Sequence, residues 1–242
     1  MLIKLENPFL LVKCIEIISE LVSEVRIKFS ENGMKITAID PANVSMVSFK
    51  IPKSAFSQFD IESNEAIGVN LESLKQVLKR CGSKSSLIIE KKESQLKIQI
   101  QDKIKRNFIL SLIEIEREDK EMPALEFSTI VEINSLDLIS SIEDCAIVSD
   151  ACSFIINNEK FIIESKGLNS AMSEFSGDEA KISAENCKSK YSIEYLQKFL
   201  KGAKLSEKTT LRFAQDHPLR MDIKTEGMEL SFILAPRVET EE

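Results

Sequence analysis

Tryptophan is absent from this sequence, histidine occurs once (His217), tyrosine twice, proline six times and glycine seven times. One imidazole excludes a multi-histidine metal site and leaves His217 as the sole imidazole for chemistry near neutral pH. Asp216-His217-Pro218 sets it beside an acid, but adjacent residues point different ways and no serine or cysteine nucleophile accompanies them. It therefore reads as a satisfied surface histidine. The five cysteines (Cys14, Cys81, Cys145, Cys152, Cys187) are odd in number and form no C-x-x-C pair, which argues against a disulfide frame or a zinc site. They read as reduced, mostly buried small apolar side chains. No apolar run approaches the ~20 residues of a spanning helix, and Met1 to Asn7 lacks a basic segment followed by a long apolar core, so a soluble intracellular protein is expected. Phosphate-cradling glycine loops are missing, and no carboxylates fall in a metal-ligand spacing. The expectation is no enzyme, no cofactor and no metal.

An excess of positive charge is also lacking. Thirty-two basic against 39 acidic residues give a net charge of −7, the wrong sign for wrapping DNA by phosphate neutralisation. A nucleic-acid role would have to be local or topological.

What is present is a core and a repeat. The 242 residues are 43% apolar, enough to fold without staples. Leu71, Leu74, Val77, Leu78 and Cys81 form a helical stripe that returns at an offset of 122 as Ile193, Leu196, Phe199, Leu200 and Ala203. Two helices of about three turns are expected, with Gly82 and Gly202 near their ends as stop signals. Leu21-Val22-Ser23-Glu24 echoes Ile147-Val148-Ser149-Asp150 at 126, and Phe108-Ile109-Leu110 echoes Phe232-Ile233-Leu234 at 124. The chain is therefore a tandem duplication, with related domains at 1–116 and 128–242. Alternation at Val25 to Phe29, Leu96 to Ile100 and Leu219 to Ile223 predicts half-buried antiparallel strands, so each half should run helix, strands, helix, strands. Turns are expected at Glu31-Asn32-Gly33 and Asn157-Asn158-Glu159. The connector, 117–127, follows Glu116 with further charges and then Pro123. Its apolar Met122, Leu125 and Phe127 either pack on the body or are offered to a partner.

The segment Ile39-Asp40-Pro41-Ala42-Asn43-Val44-Ser45-Met46, the helix lead Val69 to Lys75, its repeat Tyr191 to Leu196, and the terminal Leu234-Ala235-Pro236-Arg237-Val238-Glu239 together resemble the proliferating cell nuclear antigen family of DNA sliding clamps, in its archaeal type. The resemblance runs from residue 1 to about 240. It implies an α+β fold of two tandem clamp domains, with antiparallel sheets outside and helices lining a ring closed head to tail by three subunits. The function implied is a processivity factor that encircles duplex DNA without sequence preference. Through short peptide motifs it would tether DNA polymerase, clamp loader, flap endonuclease and DNA ligase. The protein would then be cytoplasmic and chromosome-associated, or nuclear in a eukaryote, and in neither case at a membrane.

Site residues follow from the same resemblance. The partner-peptide pocket maps to Ile39, Asn43, Met46, Met122, Pro123, Leu125, Phe127, Pro218, Ile233, Leu234, Ala235 and Pro236. This resolves the apolar connector towards function. Subunits would join by edge strands, with Lys105, Asn107, Ile109 and Leu110 on one side and Ala171, Met172, Ser173 and Phe175 on the other. DNA-facing positions would be Lys13, Lys75, Lys79, Arg80, Lys84, Lys198, Lys201 and Lys204, with a solvated helix face as the plainer reading. The four lining helices carry −1, +2, −3 and +1 in chain order, unlike the basic lining the family implies. A homotrimer is the favoured assembly; the alternatives are an accessory subunit of a heterotrimer and a non-processive adaptor.

Overall fold

The computed structural model describes residues 1–116 and 120–238. Arg117, Glu118 and Asp119 of the expected connector and residues 239–242 of the expected second domain lie outside them. The chain forms two compact units. The first is Met1–Pro41, Val47–Met122 and Glu226–Leu230, and the second is Ala42–Met46, Pro123–Thr225 and Ser231–Glu242. Each takes a short segment from the far side of the connector. Both are α+β, with two helices set against antiparallel strands.

The first unit contains β1 (Leu2–Leu5), α1 (Phe9–Ile18), β2 (Glu24–Ser30), β3 (Gly33–Ile39), β4 (Ser45–Pro52), β5 (Gln58–Asp60), β6 (Glu65–Asn70), α2 (Leu71–Leu78), β7 (Ser86–Lys92), β8 (Gln95–Gln101) and β9 (Lys105–Ser111). One sheet runs β5-β1-β7-β8-β9; the other strands run β4-β3-β2-β6. Gly33, at φ 122°, closes the β2–β3 turn opposite Ser30 in a conformation that a side chain would strain. Gly68 serves close approach: Ile113 N donates to its carbonyl at 3.0 Å, and a Cβ there would stand 2.2 Å from the Ile113 carbonyl oxygen. The chain leaving β9 is thereby pinned to β6 on its way to the connector.

The second unit contains β10 (Thr129–Asn134), α3 (Ser135–Val148), β11 (Ala151–Asn157), β12 (Lys160–Lys166), β13 (Ser170–Phe175), β14 (Ala180–Ser183), β15 (Cys187–Ser192), α4 (Ile193–Ala203), β16 (Lys208–Phe213), β17 (Leu219–Thr225) and, from Ser231 on, β18 (Met228–Leu234). The strand orders are β13-β12-β11-β15 and β14-β10-β16-β17-β18. The core is aromatic: Phe154 meets Phe161, Tyr191 and Phe213 at centroid separations of 5.3 to 5.9 Å, and Phe199 stacks on Phe232 at 4.3 Å.

The repeated stripe is buried in both units: Leu71, Leu74, Val77 and Leu78 under α2, and Ile193, Leu196, Phe199, Leu200 and Ala203 under α4. At ~1.5 to 3 kcal/mol per large apolar side chain, this burial is what docks each helix. Three expectations need correction. Each unit opens on a strand, not a helix. α2 is eight residues rather than three turns, because Gly82 and the polar residues beyond Cys81 offer nothing more to bury. Neither glycine is a stop signal: Gly202 lies inside α4, Gly82 lies beyond α2, and both helices end on residues in right-handed geometry. α1 stops at Ile18 and α3 at Val148. All five cysteines are free and four are buried. Burial pushes the Cys14 thiol up to about 12, as suits an apolar packing group 3.4 Å from the Met228 sulfur.

Candidate functional site

Segments distant in sequence meet in the second unit. Asn43 adopts a φ of 58°, affordable for asparagine, and turns the chain so that the Val44 carbonyl accepts the Ala235 N–H at 2.9 Å. This fastens Ala42–Met46 beside the end of β18. There Ala235 and Pro236 are half-buried, whereas Ile233 is 7% and Leu234 1% exposed. Leu234 is thus a core residue, and only the residues around it can present surface. Arg237 continues the strap: its N–H donates to the Lys190 carbonyl at 2.7 Å, and its guanidinium reaches Asp150 at 2.8 Å, holding that carboxyl below the usual range.

A second pinned element is the loop before β17. Asp216 has a φ of 49° and donates its N–H to the Lys188 carbonyl at 3.0 Å. The His217 carbonyl accepts from the Ser189 hydroxyl at 3.0 Å and the Tyr191 phenol at 2.8 Å. The His217 ring meets Phe127 edge-on, with centroids 5.4 Å apart. His217 therefore packs against Phe127. Met46, Leu125, Phe127 and Pro218 are half-buried, while Asn43 and Pro123 are exposed. Rigid backbone with half-exposed apolar groups suits the burial of a partner's aromatic side chains. Ile39, at the end of β3, and Met122 fall in the first unit, both half-buried.

The two expected interface segments are both edge strands. β9 ends the five-stranded sheet and β13 ends the four-stranded sheet. Each alternates outward and inward along its length, Asn107 and Ile109 facing out on β9 and Met172 and Glu174 on β13. Arg106, on β9, is paired with Asp102.

The cations divide between the units. In the first, Lys13 pairs with Glu16 at 2.9 Å on α1, and Lys75 with Glu72 at 2.5 Å on α2; Lys79, Arg80 and Lys84 are exposed just beyond α2. In the second, Lys198 pairs with Glu194 at 3.0 Å and lies 4.9 Å from the Tyr195 ring centroid; Lys201 and Lys204 are exposed on and after α4. The outward face of α3 instead shows Leu136, Asp137, Ser140, Glu143, Asp144 and Ile147, without a cation. No three or more metal-binding side chains cluster among the described residues, and no described helix is long and apolar enough to cross a membrane.

Two family sequence models cover this arrangement. The proliferating cell nuclear antigen (PCNA) N-terminal domain matches residues 1–121, and the PCNA C-terminal domain matches residues 121–238. The chain belongs to the PCNA family. A DNA polymerase sliding clamp from Thermococcus gammatolerans is 36% identical over 235 residues, covering 91% of this chain and 92% of its own. Among solved structures, A. fulgidus PCNA with the C-terminal region of FEN-1 bound to it superposes with a TM-score of 0.90 at 27% identity, covering 99% of each chain. The PCNA2–PCNA3 complex from Sulfolobus tokodaii gives 0.88 at 26%, covering 99% of this chain and 100% of that one.

Within this PCNA chain the sequence reading missed three features. Val44 stands exposed between Asn43 and Met46, and its place next to two chosen residues was the available signal. The second is His217, whose ring touches Phe127 without any local sequence pattern to show it. The third is a cluster of Arg212, Arg220 and Asp222 on β16 and β17, whose only sequence signal is the alternation that sets these residues opposite the core.

Proposed function

We propose that this chain is a subunit of a DNA sliding clamp. Copies close head to tail into a ring around duplex DNA, hold DNA polymerase on its template, and recruit flap endonuclease, DNA ligase and the clamp loader through short peptides. The observation that carries this is the 36% identity to a DNA polymerase sliding clamp over nine-tenths of both chains. Physical chemistry agrees with it. A net charge of −7 opposes tight wrapping of DNA, but a closed ring is retained by topology and needs only weak, exchangeable phosphate contacts. Those contacts fall to the cations of α1, α2 and α4, with Lys79, Arg80, Lys84, Lys201 and Lys204 the most exposed. β9 of one copy pairs with β13 of the next, removing two open edges at once. The surface around Phe127, Met46, Pro218 and Pro236 takes the aromatic residues of partner peptides. Two or three such anchors at ~1.5 to 3 kcal/mol each, less the cost of ordering the peptide, give a modest affinity that lets partners exchange.

The ring has no chemistry of its own in this reading. It works at the chromosome, in the cytoplasm of an archaeon or the nucleus of a eukaryote. A second reading, an accessory subunit of a mixed ring, draws on the cation-free outer face of α3 and on the PCNA2–PCNA3 complex of Sulfolobus tokodaii. The deciding experiment is retention: the chain is loaded onto nicked circular DNA by a clamp loader, and the circle is then linearised. Release on linearisation is the expected result, and equal retention on linear DNA would overturn topological binding.

A further inference from the structure

On the face of the second unit turned away from its core, β17 and β18 carry a charged cluster. Leu219, Met221 and Ile223 of β17, and Phe232 and Leu234 of β18, point inward and are essentially inaccessible. The alternate residues Arg220, Asp222, Ser231 and Ile233 therefore share the opposite face. Asp222 is nearly buried, its side chain 2% exposed, yet it sits on the outward face because it is fully engaged. The Ser231 hydroxyl donates to it at 2.6 Å, Arg220 Nε at 3.0 Å, and Arg212 through one terminal amino group. Arg212 lies directly across from Arg220 on β16.

Two guanidiniums thus share one carboxylate, which leaves the cluster one positive charge in excess. The two cations feel each other: burial and then the nearby charge of Arg220 lower the Arg212 pKa. Both remain about a third open, at 30% and 34% side-chain exposure. Arg220 spends only its Nε on Asp222, and its two terminal amino groups hydrogen-bond to no described residue. A single arginine would neutralise Asp222, so the second donor fork is held in position with capacity to spare. Its location matters too. The Ser231–Asp222 bond fixes the register of β18 against β17, and antiparallel pairing then sets Arg220 beside Ile233, whose neighbours Ala235 and Pro236 carry the peptide-facing wall. Ile130, paired with Arg212 from β10 and itself 41% exposed, adds an apolar border.

We propose that Arg212 and Arg220, pre-oriented by Asp222, form a cationic subsite at the flank of the partner-peptide pocket that selects partners carrying an acidic residue next to their aromatic anchors. The occupant is the carboxylate of that partner residue, on grounds of charge complementarity. Its fit is a two-pronged N–H···O contact from the free fork of Arg220. The inference rests on the pocket reading given above.

Fluorescence anisotropy on the full chain tests it. The probes are fluorescein-labelled peptides that carry a glutamine, then an aliphatic residue and then two aromatic residues, with either aspartate or asparagine at the positions flanking the aromatic pair. The aspartate peptide is expected to bind about tenfold more tightly at low salt, the scale of a charge-assisted pair, and the preference should shrink as salt rises. Arg220→Gln should bring the ratio close to one while leaving the asparagine peptide's affinity unchanged, which also reports an intact fold. Arg212→Gln, which removes the other guanidinium, should reduce the ratio in part. A ratio of one in the wild-type chain, with both peptides bound, overturns the subsite and leaves the pocket standing; binding of neither peptide overturns the pocket reading and the subsite together. A preference that survives in both variants assigns the acid to another cation and also overturns the proposal.

Discussion

Phe127 is the residue on which the pocket reading turns. It is half-buried, and its one ring contact among the described residues is the edge of His217. That contact is worth little beyond its area, about 0.5 to 1.5 kcal/mol for a favourable ring pair. A residue placed for stability would be sunk among Phe154, Phe161 and Phe213 instead. Replacing Met122 and Phe127 together by alanine should therefore abolish binding of an aromatic partner peptide while leaving the assembly mass unchanged, as calorimetry and light scattering on the same sample would report. Peptide binding that persists in the double variant would remove these residues from the site. At this scale the sequence spoke clearly for apolar groups in the connector, since three such groups in a charged stretch demand a cover. It was silent on His217, because a ring contact between residues ninety positions apart leaves no local pattern. Asp222 was hidden for a related reason: an acid on the outward face of a strand looks solvated until the two arginines and the serine that surround it are known.

Elements were legible where one physical signal dominated. The repeated stripe at 71 and 193 located α2 and α4 because an amphipathic helix must bury one face wherever it occurs. The end of α4 at Ala203 follows the stripe to its last apolar residue, whereas α2 stops at Leu78, one turn short of Cys81. Starts are better encoded. Asn70 and Asn134 precede α2 and α3 in extended geometry, and each side-chain oxygen accepts N–H groups of the first turn, from Ser73 at 3.0 Å and from Leu136 at 2.9 Å. Asparagine is chosen there because the first-turn donors have no partner within the helix. Asn70→Ala and Asn134→Ala should each cost about 1 kcal/mol in urea unfolding. Ser192, whose side chain makes no such bond ahead of α4, should lose much less on replacement by alanine. An equal loss at all three positions would mean that burial alone sets where these helices begin. Strand pairing was only partly legible, since alternation names the inward face but not the neighbour. That β9 and β13 are edges became visible only with the sheet orders.

At the level of the whole molecule, those two edges decide what the chain can become. Ile109 on β9 and Met172 on β13 are 61% and 62% exposed, an expensive arrangement for two large apolar residues on open strands. Open edges with outward apolar side chains are aggregation sites unless something of defined geometry covers them. In the proposed ring these two edges pair between copies, and such a heterologous contact repeats until it closes on itself or grows into a filament. Closure at three gives a particle of three times 27.3 kDa. Light scattering over a dilution series should find that mass persisting to low concentration. Ile109→Glu combined with Met172→Glu should reduce it to a single chain with unchanged circular dichroism, because two carboxylates brought face to face across a strand pair repel. A wild-type chain that is monomeric at every concentration, yet reaches the ring mass when mixed with other clamp subunits, would move the assignment to a mixed ring. In that case the cation-free face of α3 would be read as one sector of a lining whose positive charge comes mainly from the other subunits.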